Sequence, residues 1–270
     1  MDDLRETAVL PQLTTKWLGR SYHYFPEIGS TNDALKKAVV AQSPSELPAG
    51  TVFLTDYQRQ GRGRLTRRWL APPGTSLLFS ILFRPDWPPE QAQWLTLLAS
   101  LAVAQAVEEM TKLAVGVKWP NDMMLQQDGI WRKFGGMLLE GAMGDNGRFQ
   151  HIILGIGLNI NLPAPQLPHA ATPPTSLLAV TDTAVSRRDL LVNLLQRLET
   201  NYEEADNGRS PQPAWQKRLI TLGQSVKVTQ AGTAAAINGT AVATDKWGRL
   251  LVRDGRGEMH TIAAGDVTLR

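Results

Sequence analysis

A segment rich in glycine and arginine has the clearest potential for chemistry in this chain: it contains Gly61, Arg62, Gly63 and Arg64 and ends at Trp69. Glycines let a backbone approach a ligand closely, and guanidinium groups present forked donors that match phosphate oxygens. A charge pair about 4 Å apart is worth about 4 kcal/mol at an effective dielectric of 20, so one such arginine can decide where a phosphate lies. A solvated basic turn explains the segment equally well when it is taken alone.

Two lysines lie in further segments of this kind. Lys118 begins the sequence Lys-Trp-Pro-Asn-Asp, and the proline should end a strand and allow Lys118 and Asp122 to turn toward one phosphate and one Mg²⁺ ion. Lys133 precedes a pair of glycines whose bare backbone would let a ligand lie against the strand. The structural alternatives are a surface ion pair for the first segment and an ordinary hairpin start with an exposed lysine for the second.

A fourth segment combines glycines at 155 and 157 with asparagines at 159 and 161. Side-chain amides can read a base edge or a ribose, although glycines also serve close strand packing and asparagines also form turns. Neither this segment nor the arginine segment is a dinucleotide fingerprint, because Ile160 and Thr66 stand where the third glycine would be. No Gly-Lys-Ser/Thr sequence follows the arginine segment, so it is not a Walker loop either.

Hydrophobic patterning and turn signals predict the elements that must position these segments. Helices are predicted from an N-cap at Ser30 to a stop before Pro44, and at 90–111, 186–205 and 213–221. Strands are predicted at 51–55, 76–83, 115–118, 122–125, 134–143 and 150–160. Because short hairpin-type turns join the later strands, we expect an α+β fold with a mixed, mostly antiparallel sheet backed by helices.

From Gly223 onward, the sequence pattern predicts short strands at close spacing. Five strands are predicted, at 225–229, 235–244, 249–253, 259–263 and 267–270, and they indicate a small C-terminal SH3-like β-barrel. The expected domains are therefore a catalytic domain over residues 1–222 and a C-terminal domain over residues 223–270.

Composition excludes several classes of function. The chain has 270 residues and no cysteine, so disulfides, thiolate metal sites and cysteine nucleophiles are excluded. The formal charge is +3, but removing five clustered arginines makes it −2, which favours a pocket for one polyanion over a surface for nucleic acid. Because the N-terminus has no signal-peptide pattern and no apolar stretch is long enough for a bilayer, we expect a cytoplasmic protein without membrane contact.

Taken in order with Ser30, Thr31 and Asn32, the four segments resemble the catalytic domain of biotin protein ligases. The shared pattern is Ser-Thr-Asn at a helix start, Gly-Arg-Gly-Arg before a tryptophan, Lys-Trp-Pro-Asn-Asp, Lys-x-Gly-Gly and Gly-x-Gly-x-Asn. The resemblance extends over residues 20–270. Where the family often continues with Arg-Gly-Arg, this chain has Leu-Thr-Arg, and Thr66 does not readily adopt a positive φ. The resting shape of the loop and the role of Arg67 are therefore expected to differ.

The resemblance implies a biotin site in which Ser30, Thr31 and Gln58 hydrogen-bond the ureido ring. The arginine segment would form a loop that orders over biotin and its adenylate. The biotin-binding residues implied are Ser30, Thr31, Asn32, Gln58, Gly61, Arg62, Gly63, Gly135 and Gly136.

The resemblance also implies a nucleotide site beside it. Lys133 would contact the biotin carboxylate and the α-phosphate, while Lys118 and Asp122 would serve the phosphates and Mg²⁺. The catalytic residues implied are Lys133, Arg64, Lys118 and Asp122, and the nucleotide-binding residues are Arg67, Trp69, Asn121 and Asn159.

The implied activity uses ATP to convert biotin into biotinyl-5'-AMP and then transfers biotin to a lysine. The acceptor would be the biotin carboxyl carrier protein of acetyl-CoA carboxylase or of a related carboxylase, and the enzyme would be a monomer or a homodimer. A lipoate protein ligase is the alternative, although the Gly-Arg-Gly-Arg loop and the terminal barrel favour biotin.

Some biotin ligases also bind DNA through an N-terminal helix-turn-helix domain. In this chain only about thirty residues precede Ser30, and they show no recognition-helix pattern. We therefore expect no nucleic-acid partner.

Overall fold

The computed structural model describes residues 3–64, 67–170, 172–230 and 236–269. Our interpretation of Thr66 lies outside these residues, as do the outer ends of the strands predicted to begin at 235 and to end at 270.

A seven-stranded sheet forms the centre of the molecule, in the order β1-β2-β3-β7-β6-β5-β4. Only β1 and β2 pair in parallel, and every other neighbouring pair is antiparallel. The predicted mixed, mostly antiparallel sheet is therefore confirmed, whereas β1 was not predicted. The strands are β1 (Tyr22–Phe25), β2 (Val52–Thr55), β3 (Ser76–Phe83), β4 (Val115–Lys118), β5 (Asp122–Gln127), β6 (Ile130–Met143) and β7 (Phe149–Asn159).

Six α-helices accompany the sheet in the described part of the chain: α1 (Glu6–Val9), α2 (Thr31–Ala41), α3 (Trp94–Thr111), α4 (Leu177–Thr181), α5 (Arg187–Asp206) and α6 (Gln212–Gln216). The predicted helix at 90–111 begins as a 3₁₀ turn, Pro89–Gln93, and becomes α-helical at Trp94. The helix predicted at 213–221 ends at Gln216. Beyond it the chain runs beside β4, where Val117 exchanges backbone hydrogen bonds with Arg218 and Ile220 at 2.8 and 3.0 Å. None of the described helices has both the length and the apolar character needed to cross a membrane.

Helices cover both faces of the sheet, which explains why all eight residues of β3 are buried. On one face, α3, α5 and the odd-numbered apolar residues of β3 belong to the main core, and α3 buries thirteen of its eighteen residues. On the other face, Leu35 of α2 packs with Leu47, Phe53, Leu82 and Ile153 in a second cluster. Because side chains alternate along a strand, β6 and β7 turn every second residue toward the α2 face.

The C-terminal part contains the predicted antiparallel sheet of five strands, in the order β11-β10-β9-β8-β12. Among the described residues the edge strands β11 and β12 do not pair with each other, so the sheet is open where we predicted a barrel. The strands are β8 (Ser225–Thr229), β9 (Ile237–Thr244), β10 (Leu250–Asp254), β11 (Met259–Ile262) and β12 (Asp266–Leu269).

Candidate active site

The four segments meet around one cavity of about 460 Å³. All of the predicted site residues line it except Gly61, Gly135 and Asn159. The cavity therefore brings together side chains from α2, the arginine loop (residues 61–69), the β4–β5 turn and strands β6 and β7.

Polar side chains at the start of α2 form one end of the cavity. Ser30 caps the helix, because its Oγ accepts a hydrogen bond from the backbone N–H of Asp33 at 3.4 Å. The backbone N–H and the hydroxyl of Thr31 both donate to Oε1 of Gln58, at 2.9 and 3.2 Å. Beneath them the fully buried Ser80 has its Oγ 2.7 Å from Oγ1 of Thr31. This end offers oriented hydroxyl and amide groups without a net charge, which suits a neutral polar ring.

Glycines of β6 and β7 form a bare floor beside this polar end. Gly136 and Gly157 are register partners, and the indole of Trp69 lies across them. A Cβ at Gly157 would lie 2.8 Å from Cε2 of Trp69, so a side chain there would displace the ring. Gly135 serves a different purpose, because a Cβ at that position would lie 2.4 Å from Cδ2 of the buried Leu158. The structure therefore explains Gly135 by strand packing, while Gly136 and Gly157 leave room in the cavity.

The arginine loop is closed by backbone hydrogen bonds between its two ends. The N–H of Trp69 donates to the carbonyl of Gly61 at 2.9 Å, and the N–H of Gly63 donates to that of Arg67 at 2.8 Å. A Cβ at Gly61 would lie 2.3 Å from the carbonyl oxygen of Trp69, so the loop can close this tightly only with glycine there. Gly61 thus shapes the loop without lining the cavity.

Each of the arginines at positions 62, 64 and 67 has its own anchor. Nη2 of Arg62 lies 2.7 Å from carboxylate oxygens of both Asp33 and Glu140. Nη1 of Arg64 donates to the carbonyl of Gly265 at 3.0 Å, and Arg67 forms an ion pair with Asp266. Burial lowers the pKa of Arg64 from its ordinary value, since desolvation disfavours the charged form.

Both predicted lysines line the cavity together with Asp122, but their side chains have different partners. Nζ of Lys133 lies 2.5 Å from Oδ1 of Asp122, whereas Nζ of Lys118 donates to Oγ1 of Thr172 at 3.3 Å. Burial lowers the pKa of Lys118, and the nearby charge of Asp122 opposes that shift. Together with Arg64, the lysines place three cationic groups around one carboxylate, an arrangement suited to a phosphate chain.

The two asparagines of the predicted nucleotide site have different surroundings. Asn121 lines the cavity, donates to the carbonyl of Met137, and has its Oδ1 3.4 Å from Nη1 of Arg64. Asn159 is buried and donates to the carbonyl of Thr175 at 3.1 Å. Contact of Asn159 with a nucleotide therefore stays a prediction.

Sequence reasoning missed several residues of this site. Glu140 follows Gly136 and Leu138 on the same face of β6, so strand alternation could have indicated it. An apolar wall of the cavity comes from Trp131, Ile220 and other residues, and the edge strand β12 lines the cavity as well. No local signal identifies these contributions, because the contacts join parts of the chain that are far apart in sequence.

Comparison with known proteins agrees with this geometry. Residues 24–159 match the model of the "Biotin/lipoate A/B protein ligase family", and residues 221–270 match that of the "Biotin protein ligase C terminal domain". A biotin–[acetyl-CoA-carboxylase] ligase from Mycobacterium tuberculosis is 32% identical over 98% of this chain and 95% of its own length. The bifunctional ligase/repressor BirA of Bacillus subtilis is 28% identical over 98% of this chain and 79% of its own length.

A solved structure shares the architecture. The biotin protein ligase from Aquifex aeolicus in complex with biotin and ATP superposes with a TM-score of 0.74 at 28% identity, covering 93% of this chain and 99% of that one. The resemblance inferred from the motifs is confirmed, and this chain belongs to the biotin/lipoate A/B protein ligase family.

Proposed function

We propose that this protein is an ATP-dependent biotin protein ligase, which makes biotinyl-5'-AMP and transfers biotin to a lysine of a carrier protein. The observation that carries the proposal is the meeting of Arg64, Lys118 and Lys133 in one cavity whose other end is formed by Thr31 and Gln58. The cationic groups suit the phosphates of ATP, and the polar end suits the ureido ring of biotin.

The first step joins the biotin carboxylate to the α-phosphorus of ATP and releases pyrophosphate. Lys133 lies beside the bare backbone at Gly136, where its ammonium group can stay with the carboxylate while the new phosphate ester forms. Arg64 and Lys118 stabilise the negative charge that develops on the phosphate oxygens. This side-chain set needs no covalent enzyme intermediate.

Asp122 is the residue that would hold Mg²⁺. Its carboxylate lines the cavity beside both lysines, and Mg²⁺ is commonly bound by one or two carboxylates together with substrate phosphates. The residues present therefore fit the ion, which would neutralise charge on the phosphates when bound.

The second step transfers biotin to an amine of the acceptor. A neutral lysine amine attacks the mixed anhydride, AMP leaves, and Asp122 is our candidate for receiving the proton. We propose the carrier domain of a biotin-dependent carboxylase as the acceptor, which is supported by the similarity to the biotin–[acetyl-CoA-carboxylase] ligase of Mycobacterium tuberculosis. Trp69 and the arginine loop would limit the access of water to the adenylate until the acceptor arrives.

We further propose that residues 1–222 form the catalytic domain and residues 223–270 a C-terminal domain that completes the cavity. Two separate sheets support this division. The contacts of Gly265 and Asp266 with the arginine loop indicate that the smaller domain contributes to the site.

Pyrophosphate release from purified protein with ATP and Mg²⁺ tests the function directly. We expect release with biotin and little with lipoate, because the apolar dithiolane ring of lipoate would leave the buried polar groups around Thr31 without partners. A carrier domain added afterwards should become biotinylated on its lysine. Release that depends on lipoate and not on biotin would overturn the assignment.

A further inference from the structure

Glu140 gathers three side-chain donors from two elements that form the cavity, although it does not line the cavity itself. Its Oε2 accepts from Nδ2 of Asn32 and from Nη2 of Arg62, each at 2.7 Å. Its Oε1 lies 2.5 Å from Nζ of Lys36. The Glu140 side chain is only 21% exposed, so these contacts are partly shielded from water. One carboxylate of β6 therefore holds both α2 and the arginine loop.

Through Asn32, Glu140 reaches the polar end of the cavity. An ionised carboxylate can only accept hydrogen bonds, so it fixes the amide nitrogen of Asn32 toward itself and leaves Oδ1 facing Ser80, 2.5 Å from its Oγ. The Ser80 hydroxyl also lies 2.7 Å from Oγ1 of Thr31, and the backbone N–H of Thr31 donates to Oε1 of Gln58 at 2.9 Å. The polar contacts thus run without interruption from Glu140 to Gln58.

Through Arg62, Glu140 reaches the arginine loop. The guanidinium lies between the carboxylates of Glu140 and Asp33, so the loop is held against the start of α2. Burial alone would raise the pKa of Glu140, but hydrogen bonds from Asn32 and Lys36 and the charge of Arg62 outweigh it and lower that pKa. Glu140 is therefore a carboxylate at neutral pH, as both contacts require.

We propose that Glu140 is a positioning residue that fixes Asn32 and Arg62 relative to each other, so that the polar end of the cavity and the arginine loop adopt their biotin-binding geometry together. This inference rests on the proposed function and extends it to a residue that touches neither substrate. It predicts that the loss of the carboxylate weakens the binding of biotin more than it slows the chemistry.

Kinetics of biotin-dependent pyrophosphate release in Glu140→Gln provide the test. Glutamine keeps the size and one acceptor oxygen but removes the charge that holds Arg62 and Lys36. We expect the KM for biotin to rise about tenfold, with a smaller change in kcat, because charge-assisted hydrogen bonds are lost. Glu140→Asp keeps the charge at a shorter reach and should give an intermediate KM. If urea unfolding shows that the glutamine variant does not fold, the KM of Glu140→Asp tests the positioning role in its place.

Glu108→Gln is the matched control, since Glu108 pairs with Arg218 at 2.6 Å outside the residues that line the cavity. The same change of charge there should leave the KM for biotin unchanged. If Glu140 acts through Arg62, Glu140→Gln combined with Arg62→Lys should raise KM by less than the product of the two single effects.

An unchanged KM in Glu140→Gln, or a rise that merely multiplies with that of Arg62→Lys, would overturn the positioning role and leave the proposed function intact. A lack of biotin-dependent release by the unmodified protein would contradict the proposed function, and the role of Glu140 would fall with it.

Discussion

The ammonium group of Lys133 forms an ion pair with Asp122 in the cavity, and it also lies 5.8 Å from the ring centroid of Trp69. Its backbone is fixed independently of its side chain, since the N–H of Lys133 donates to the carbonyl of Pro173 at 2.8 Å. The side chain can therefore be removed with little effect on the strand, which allows its chemical role to be tested separately from folding.

Lys133→Ala is expected to slow adenylate formation by about a hundredfold to a thousandfold, the usual cost of removing one donor from a developing oxyanion. Pyrophosphate release with saturating biotin and ATP measures this, and circular dichroism checks the fold. Lys246→Ala is the control, because Lys246 lies over Trp247 and not in the cavity. Pyrophosphate release at the wild-type rate by Lys133→Ala would show that another group stabilises the developing negative charge.

Lys118 is expected to make the binding of ATP sensitive to alkaline pH. Burial lowers its pKa below the ordinary value of 10.5, so the free enzyme loses this positive charge as pH rises through the lowered pKa. The affinity for ATP should then fall at a pH below 10.5. Lys118→Arg should move that decline to higher pH, since a guanidinium does not deprotonate in this range.

A pH profile of kcat/KM for ATP reports the pKa values of the free enzyme and is the appropriate measurement. The same alkaline limb in wild type and in Lys118→Arg would assign the titration to a different group.

At the level of residues, the sequence identified the types of side chain but not all of their partners. Arginines beside glycines and lysines beside strand ends suit phosphate binding, and this could be inferred from local sequence. We expected Lys118 and Asp122 to turn toward one phosphate and one Mg²⁺ ion, and both line the cavity, but the ion pair that Asp122 forms with Lys133 from the next strand was not predicted. The antiparallel register of β5 and β6 places these residues together, and spacing within one segment cannot reveal that.

At the level of elements, β7 depends on glycine where α2 crosses it. A Cβ at Gly155 would lie 2.3 Å from Oδ1 of Asn32, and Ser80 and Glu140 prevent the amide from moving away. The two elements can approach this closely only because the strand has no side chain at that position.

Gly155→Ala is expected to raise the KM for biotin and to lower the free energy of unfolding by about 1–3 kcal/mol, the usual cost of overpacking. Biotin titrations and urea unfolding measure the two effects. Gly255→Ala provides the comparison, because a Cβ there meets no atom within 4 Å. If both variants behave alike, the contact between α2 and β7 is looser than described.

Most elements could be predicted because their patterns are local. The strand at Ser76–Phe83 is a nearly unbroken apolar run that is buried on both faces, and the helix that begins at Arg187 has Ser186 as its N-cap. The first strand, Tyr22–Phe25, was missed because its four residues, Tyr-His-Tyr-Phe, have no clear alternation, and only its pairing with β2 defines it. The end of α6 was missed for a similar reason, since pairing beside β4 ends the helix.

At the level of the whole molecule, the C-terminal sheet contributes directly to the cavity. Arg64 and the carbonyl of Gly265 are joined by a hydrogen bond although 201 residues separate them. The sequence predicted both the loop and the small sheet, but local patterns carry no information on their contact. Arg64 therefore links three parts of the fold: the arginine loop, the turn that contains Asn121, and Gly265, the residue that precedes β12.

Arg64→Gly should therefore open the loop at the point where the two sheets meet. The variant loses a charge-assisted hydrogen bond to Gly265 and gains backbone freedom in the loop, so biotinyl-5'-AMP should leave about tenfold to a hundredfold faster. Labelled adenylate formed on the enzyme and chased with unlabelled biotin and ATP gives the release rate.

Arg209→Gly is the control, because it removes an exposed arginine that is paired with Glu204 outside the cavity lining. This variant should retain the adenylate as the wild type does. Equal retention by Arg64→Gly would mean that Arg62 and Trp69 hold the loop closed without the C-terminal sheet.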